Sequence, residues 1–406
     1  MKSNIKQGLF FLLIAVVMIS LIFIIVSYFH RPAIKIGVMH SLSGTMAVSE
    51  KGVVDAVLLA VDEINQQGGL MGRKIKAVVR DGESSPRIFT EIAKALIEKD
   101  EVEAIFGCWT SSCRKAVLPV IEKNNHLLYY PLQYEGMELS KNVIYLGEVP
   151  NQQVLPALEW TFSEIGKRIY LIGSDYIYPR ATNQVIKDQV EKWRGEIVGE
   201  SYVPLGEKNF SSVVEDIRRV MPDAIFNTIN GDSNLSFFKA LRESNIYPKS
   251  VPTFSFSIAE DELSLFADVD MDGDFLVWNY LSDSNNHINQ EFKKRFTEKY
   301  GAMSRIGNPM VTAYLGVHLW AKAVRMARTS EVEEVLKYTS DISIQGPGGM
   351  IYVEKNTHHT WKPIHIAQID KNKQLRSVWF SKVPIAPQPF PQSRSEKEWK
   401  AFVDEF

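Results

Sequence analysis

After Pro32 short apolar runs alternate with longer amphipathic segments, and near residue 151 the same alternation starts again. Parallel neighbouring strands need a crossover between them, usually a helix, so this pattern predicts parallel sheets with helices on both faces. IKIGVMH (34–40), KIKAVVRD (74–81), VEAIFG (102–107), HLLYY (126–130) and NVIYLG (142–147) read as strands. VVDAVLLAVDEINQQG (53–68), PRIFTEIAKALIEKD (86–100) and RKAVLPVIEKNN (114–125) read as the helices between them. The second series runs RIYLIGSD (168–175), EIVGESYV (196–203), DAIFNTIN (223–230), VPTFSFS (251–257) and GDFLVWNY (273–280), again with helices interleaved. These are two similar α/β units in succession rather than a short-period solenoid.

The remainder breaks the rhythm. Helices at 287–300, 309–328 and 331–338 follow one another without strands, and MIYVEK (350–355), WKPIHIAQID (361–370) and QLRSVWFS (374–381) then form a β meander. Shared between the two sheets, the helices complete the first unit and the strands the second. That predicts two doubly wound lobes joined by three crossings, near 148–150, 280–284 and 341–346. Lobe 1 is 33–149 plus 282–342, and lobe 2 is 150–281 plus 343–382. The tail 383–406 is Pro-rich and then charged, and is expected to wrap the surface or lead outward.

The amino terminus bears on location. Lys2 and Lys6 precede an uncharged run from Gly8 to Tyr28. About 20 apolar residues span a bilayer, and a cleavable signal usually has a shorter apolar region and a small-residue exit. The run ends VSYFHRP, and no cysteine lies near residue 30 to carry a lipid. An uncleaved transmembrane anchor over 8–29 is the expectation, with a cleaved long signal as the alternative. The lysines place the amino terminus in the cytoplasm, although Arg31 and Lys35 on the other side weaken that orientation. The protein is therefore expected outside the cytoplasm, tethered to the membrane.

A net charge of −2 gives no basic footprint for nucleic acid. The two cysteines, Cys108 and Cys113, stand as buried thiols or as a local disulfide in an oxidising compartment. No metal site is expected, and His358-His359, in a polar stretch, reads as solvated. No enzyme is expected either. None of the eight histidines shares a motif with a serine or cysteine nucleophile, and no G-x-x-x-x-G-K-[ST] loop occurs.

In open α/β sheets ligands bind just past the carboxyl ends of the strands. Two loop-like segments, GCWTSSCRKAV (107–117) and GSDYIYPR (173–180), put hydroxyls, aromatics and one carboxylate at such ends. They suggest two lobes offering strand ends to one cleft that holds a small polar molecule without transforming it.

With these residues in place, the chain resembles the type I periplasmic-binding-protein fold, built from Rossmann-like lobes. Within it the chain is similar to the urea and short-amide branch: substrate-binding proteins of urea-type ABC transporters and the related aliphatic-amide sensors. The opening IGVMHSLSGTMA…G…AVDEINQQGGLMGRKI carries the fold. The branch rests on GCWTSSCRKAVLPVIE, YYPLQYEG, PNQQ, GSDYIYPR, TINGDSN and QGPGGMIYV…NTHHTWKP. The resemblance covers 33–395. Its members usually carry a cleavable or lipidated leader where this chain has the long apolar run, which leaves transporter subunit and tethered sensor both open.

The resemblance implies a neutral planar ligand such as urea or acetamide, no cofactor, and an ABC permease or membrane sensor as partner. Such a ligand needs acceptors for its N–H groups, a donor for its oxygen, and flat walls. Trp109, Thr110 and Ser111 would supply a wall and hydroxyls at a helix start, the alternative being Ser111 or Ser112 as the cap of that helix. Tyr130 and Gln133 would follow from the second loop, where Glu135 reads rather as a partner of Arg114. Asp175, Tyr176 and Tyr178 would come from the second lobe. Asp232 would accept an amide N–H or cap the helix after it. A branched-chain amino acid is the rival ligand.

Overall fold

The computed structural model describes residues 13–14, 16–18, 32–301 and 305–406. The anchor expected over 8–29 lies almost wholly outside the described residues. Among the described residues no helix is long and apolar enough to cross a membrane.

Lobe 1 is built on a five-stranded parallel sheet in the order β2-β1-β3-β4-β5. The strands are β1 (Ile34–His40), β2 (Ile75–Asp81), β3 (Ile105–Gly107), β4 (Leu128–Tyr130) and β5 (Val143–Tyr145). Between them run α1 (Ala47–Gln66), α2 (Pro86–Glu98) and α3 (Ser111–Lys123). All of β3, β4 and β5 is buried, as unbroken apolar runs in a doubly covered parallel sheet should be.

Lobe 2 repeats the plan. After α4 (Val154–Glu164) come β6 (Arg168–Ser174), α5 (Ile177–Lys192), β7 (Glu196–Val203), α6 (Ser211–Val220), β8 (Ala224–Thr228), α7 (Ser233–Glu243), β9 (Thr253–Ser255) and β10 (Phe275–Trp278). The chain then returns to lobe 1 as α8 (His287–Tyr300), α9 (Asn308–Ala327) and α10 (Val332–Thr339). Helix α9 is buried along most of its length and packs on α1, β3 and β4, so it forms the middle of the lobe 1 core.

The closing strands divide differently from the sequence expectation. β11 (Ser343–Gly346), β12 (Gly349–Val353) and β13 (Thr360–Trp361) form a separate small antiparallel sheet. Ile342, Ile351 and Val353 enter the core of lobe 1, not lobe 2. The edge of β5 explains it: Tyr145 N donates to His358 O at 3.0 Å, and Tyr145 bridges to His359 in parallel. The open edge of the first sheet thus holds this segment. Only β14 (His365–Ile369) and β15 (Leu375–Phe380) cross over, adding antiparallel to β10 and completing the order β15-β14-β10-β9-β8-β6-β7. The third crossing therefore falls after Trp361 rather than at 341–346.

The tail wraps. Met137 N in lobe 1 donates to Pro389 O at 2.6 Å, and Arg394 forks onto Asp188 of α5 at 2.7 and 2.8 Å. α11 (Glu396–Val403) is capped by Ser395 and Glu398 reciprocally. It buries Trp399 and Val403 against Ile177, Ala181 and Val185. The strap touches both lobes.

Candidate functional site

Each sheet has one place where the chain reverses its winding direction: between β1 and β3 in lobe 1, and between β6 and β8 in lobe 2. Ligands of open α/β sheets bind there, past the carboxyl ends. The loops after these four strands carry Thr45, Trp109, Tyr176 and Asn230. The two sets face each other and touch. Trp109 Nε1 donates to Asn230 Oδ1 at 3.0 Å, and Gln133 Nε2 donates to Ser257 Oγ at 3.0 Å. Ser49 Oγ donates to Glu262 Oε2 at 2.8 Å, and Thr45 Oγ1 donates to Asp232 Oδ1. These four side-chain bonds hold the lobes shut.

Behind the lobe 1 loops lies a buried ion-pair network. Arg114, on the first turn of α3, is fully buried; its Nη2 meets Glu135 Oε1 and its Nε meets Glu138 Oε1, both at 2.8 Å. Lys115 adds a contact to Glu138 at 3.2 Å. Burial alone would pull the Arg114 guanidinium down, but Glu138 and Glu135 more than offset it and raise its pKa. Burial pushes Glu138 up, and Arg114 and Lys115 bring it below the usual carboxylate value. The guanidinium also sits over the Tyr134 ring at 4.3 Å and the Tyr130 ring at 5.0 Å.

Each residue singled out from the sequence now has a place. Thr110 is the helix cap: its hydroxyl accepts from Cys113 N at 3.1 Å, so it is spent on α3 rather than Ser111 or Ser112 doing that work. Ser111 Oγ donates to Glu135 Oε2 at 2.5 Å and accepts from Arg114 Nη1 at 3.0 Å, so its proton is committed. Glu135 is the partner of Arg114, as read from the sequence. Tyr130 Oη donates to Trp109 O at 2.6 Å. Tyr176 lies next to Tyr178, with ring centroids 6.3 Å apart. Burial first, and then Tyr178, Tyr130 and Glu135, raise the Tyr176 phenol well above its ordinary value. The Tyr178 phenol is raised by burial as well, so both are neutral donors at any physiological pH. The structure thus draws Trp109, Ser111, Tyr130, Gln133, Tyr176 and Tyr178 together.

Two expected site residues are elsewhere. Asp175 is at the surface, with its side chain 47% exposed and paired to Arg180 at 2.6 Å. Asp232 neither faces the cleft interior nor caps α7 with its side chain. It spends one oxygen on Thr45 across the cleft and the other on Lys208 at 2.6 Å. A charge at the rim is better satisfied by a rim lysine and a hydroxyl than by a buried neutral amide.

The reading of His359 as solvated is also corrected. His359 is fully buried, stacked on Tyr145 with centroids 4.3 Å apart, and Tyr134 Oη donates to its Nε2. Its own edge strand against β5 buries it. Cys108 and Cys113 are joined as a disulfide across the turn that carries Trp109 and Thr110. Among the described residues no group of three or more His, Cys, Asp or Glu is placed to hold a metal.

The sequence reading missed Thr45, Ser49, Ser257 and Glu262. Thr45 and Ser257 were within reach, because both lie just past strand carboxyl ends. Among the described residues, Gln133 Oε1 and Tyr178 Oη are buried in the closed cleft without a hydrogen-bond partner. Tyr178 Oη lies close enough to Ser257 and Gln133 for both side chains to act on its pKa, without a full hydrogen bond to either. The two unpartnered atoms are positions where a bound molecule could complete the hydrogen bonding of the cleft. By contrast, a groove of about 830 Å³ lined by Trp160, Pro222, Pro248 and Phe275 opens at the amino ends of the lobe 2 strands, the wrong end for this fold.

Comparison with known proteins agrees with this architecture. A family model described as a periplasmic binding protein domain matches residues 34–396. A Leu/Ile/Val-binding protein homolog of Brucella melitensis is 24% identical over 346 residues, covering 79% of this chain and 84% of that protein. A limonene hydroxylase of Geobacillus stearothermophilus is 25% identical over 138 residues, but the match spans 32% of this chain and only 25% of that protein. Among solved structures, an ABC transporter solute binding protein from R. palustris in complex with 4-hydroxybenzoate superposes with a TM-score of 0.80 at 20% identity, covering 87% of this chain and 98% of that one. A branched-chain amino acid transporter substrate binding protein from Streptococcus pneumoniae, in complex with isoleucine, reaches 0.76 at 19% identity over 87% and 100%. These likenesses bear on the fold. The binding proteins among these are amino-acid and aromatic-acid binders, so the urea and amide part of the resemblance rests on the motifs of this chain alone.

Proposed function

We propose a function from one premise: the chain belongs to the periplasmic binding protein domain family. Its fold is that of extracytoplasmic solute-binding proteins of ABC transporters. On our reading it binds urea or a short aliphatic amide between its lobes and delivers it to an ABC permease, without chemical change. The long apolar run near the amino terminus would tether it to the membrane. Use as an amide sensor instead of a transport subunit fits the same site.

One observation carries the choice of ligand. The charged side chains read from the strand-end loops are already paired: Arg114 with Glu135 and Glu138, Asp232 with Lys208, Asp175 with Arg180; Glu262, nearer the rim, takes a hydrogen bond from Ser49 across the cleft. The polar atoms left over, Gln133 Oε1 and Tyr178 Oη, are neutral. An amino acid would bury an ammonium and a carboxylate, and an unpaired buried charge is far more costly than an unpaired amide. The rival reading draws on the relatives' names and on the N–H groups that open α3, which suit a carboxylate. Calorimetric titration with urea, acetamide, formamide, leucine and 4-hydroxybenzoate separates them. Binding of leucine or 4-hydroxybenzoate with silence from all three amides would sink our reading. Tyr178→Phe should weaken amide binding by about 1–3 kcal/mol, roughly 5- to 150-fold, with the melting temperature kept.

The rim contact predicts a separate effect. Asp232→Ala removes the bond from Thr45 that only the closed form makes. A ligand is bound by the closed form, so its affinity should fall about 2- to 10-fold for every ligand alike. Small-angle scattering of the unliganded variant should show a more open mean shape than the wild type. A ligand-specific effect would place Asp232 inside the pocket after all.

A further inference from the structure

Gln133 and Ser257 belong to different lobes and were met above only as one of the bonds across the cleft. Gln133 is buried and follows β4; Ser257 is buried and lies just past β9. Gln133 Nε2 is committed to Ser257 Oγ at 3.0 Å, which turns its Oε1 inward, buried and unpartnered. An amide side chain on a single lobe rotates and can present either its oxygen or its nitrogen to a ligand. In the closed form the hydroxyl of the opposite lobe holds the amide nitrogen, which leaves Oε1 turned to the pocket.

Oε1 differs from its neighbours in kind. A phenol or serine oxygen can both donate and accept, whereas a carbonyl oxygen accepts only. Tyr130 Oη is already donating to Trp109 O, and Ser111 Oγ is donating to Glu135. Tyr178 Oη, beside Ser257 and Gln133, is the available donor. The pocket therefore offers an acceptor and a donor side by side, the complement of a group carrying N–H and C=O on one carbon.

We propose that Gln133 is a specificity-determining residue that reads an N–H of the ligand, and that Ser257 is the positioning residue that sets its orientation on closure. This rests on the amide reading above and narrows it to ligands with a primary amide or ureido group. A molecule of the same shape without N–H leaves Oε1 unpaired in the closed state and is rejected. A site built to hydrogen-bond a group discriminates strongly against the analogue that lacks it.

Acetone is the probe, because it is close to acetamide and urea in shape and has no N–H. Affinities for urea, acetamide and acetone are measured on the full chain by titration, or by competition for weak binders, with melting curves for each variant. The wild type should prefer acetamide to acetone at least about 100-fold. Gln133→Met should cut that preference at least about 10-fold. Ser257→Ala should cut it less, since the freed amide still finds the right rotamer part of the time, and Ser257→Thr should restore it. Recovery by a hydroxyl is a result that a merely structural role for Ser257 does not give. Variants that fold and weaken all three ligands equally, with the ratio unchanged, overturn the proposal while leaving amide binding intact. A wild type that binds no amide removes the reading beneath it, and this proposal with it.

Discussion

Arg114→Met should cost about 3–5 kcal/mol of stability, enough to unfold much of the population in a protein of ordinary stability. The side chain is fully buried with Glu135 and Glu138. Removing the cation leaves two carboxylates in the interior with only the half-buried Lys115 beside one of them. The cost is not the strength of the pair but the desolvation of what remains. Arg114→Lys should fall between, since an ammonium meets one carboxylate but lacks the planar fork that reaches both along with Ser111. The triple change Arg114→Met, Glu135→Gln, Glu138→Gln should recover a large part of the loss. Guanidinium unfolding midpoints decide this; urea is avoided as a denaturant because it is a proposed ligand. A single Arg114→Met variant with an unchanged midpoint would show that the network contributes nothing.

The second large effect is a dependence on pH. Burial lowers the pKa of His359 to about 3, against an ordinary value of 6.5. The unfolded chain therefore takes up this proton first as pH falls. The stabilisation is complete above about pH 6.5 and is lost progressively toward pH 3. At pH 4.5, two units below the ordinary value, the loss from this residue is about 2–3 kcal/mol. Its Nδ1 faces Thr357 O, and Glu138, His358 and Arg114 are the charged or titratable groups acting on it, with the Tyr134 phenol on Nε2. His359→Gln removes the titration, so its melting temperature should fall less steeply than that of the wild type between pH 6.5 and 4.5. Parallel curves for the two proteins would mean that His359 is protonated in the fold.

How far the sequence carries can be judged on particular residues. Alternation of runs such as IKIGVMH and DAIFNTIN was enough to place the two parallel sheets, because a doubly covered parallel strand must be apolar throughout. MIYVEK was misassigned because nothing local says where a strand will dock: β12 pairs with β11 and β13, and the segment is tied to lobe 1 by His358 and His359 on Tyr145 of β5, more than two hundred residues earlier. The site divides in the same way. Tyr178 and Gln133 were legible from strand-end position. Asp175 and Asp232 shared that position but not that direction, and direction depends on a competing partner, Arg180 or Lys208, that spacing does not reveal. Ser257 was read as part of a strand and so was not considered as a polar group at its end.

The order of the lobes along the chain also has a consequence for synthesis. Lobe 1 places the buried helix Asn308–Ala327 in the middle of its core, against strands made near the start of the chain. Until that helix emerges, the apolar face of β3 and β4 that it covers stays open. At roughly 5–20 residues per second this interval lasts on the order of ten to forty seconds. The first half-made sheet must therefore be kept from aggregating while all of the contiguous part of lobe 2 is produced and free to fold. Chaperone demand during translation and export should be concentrated on residues 34–149, and a destabilising change in lobe 1 should reduce yield more than an equal one in lobe 2.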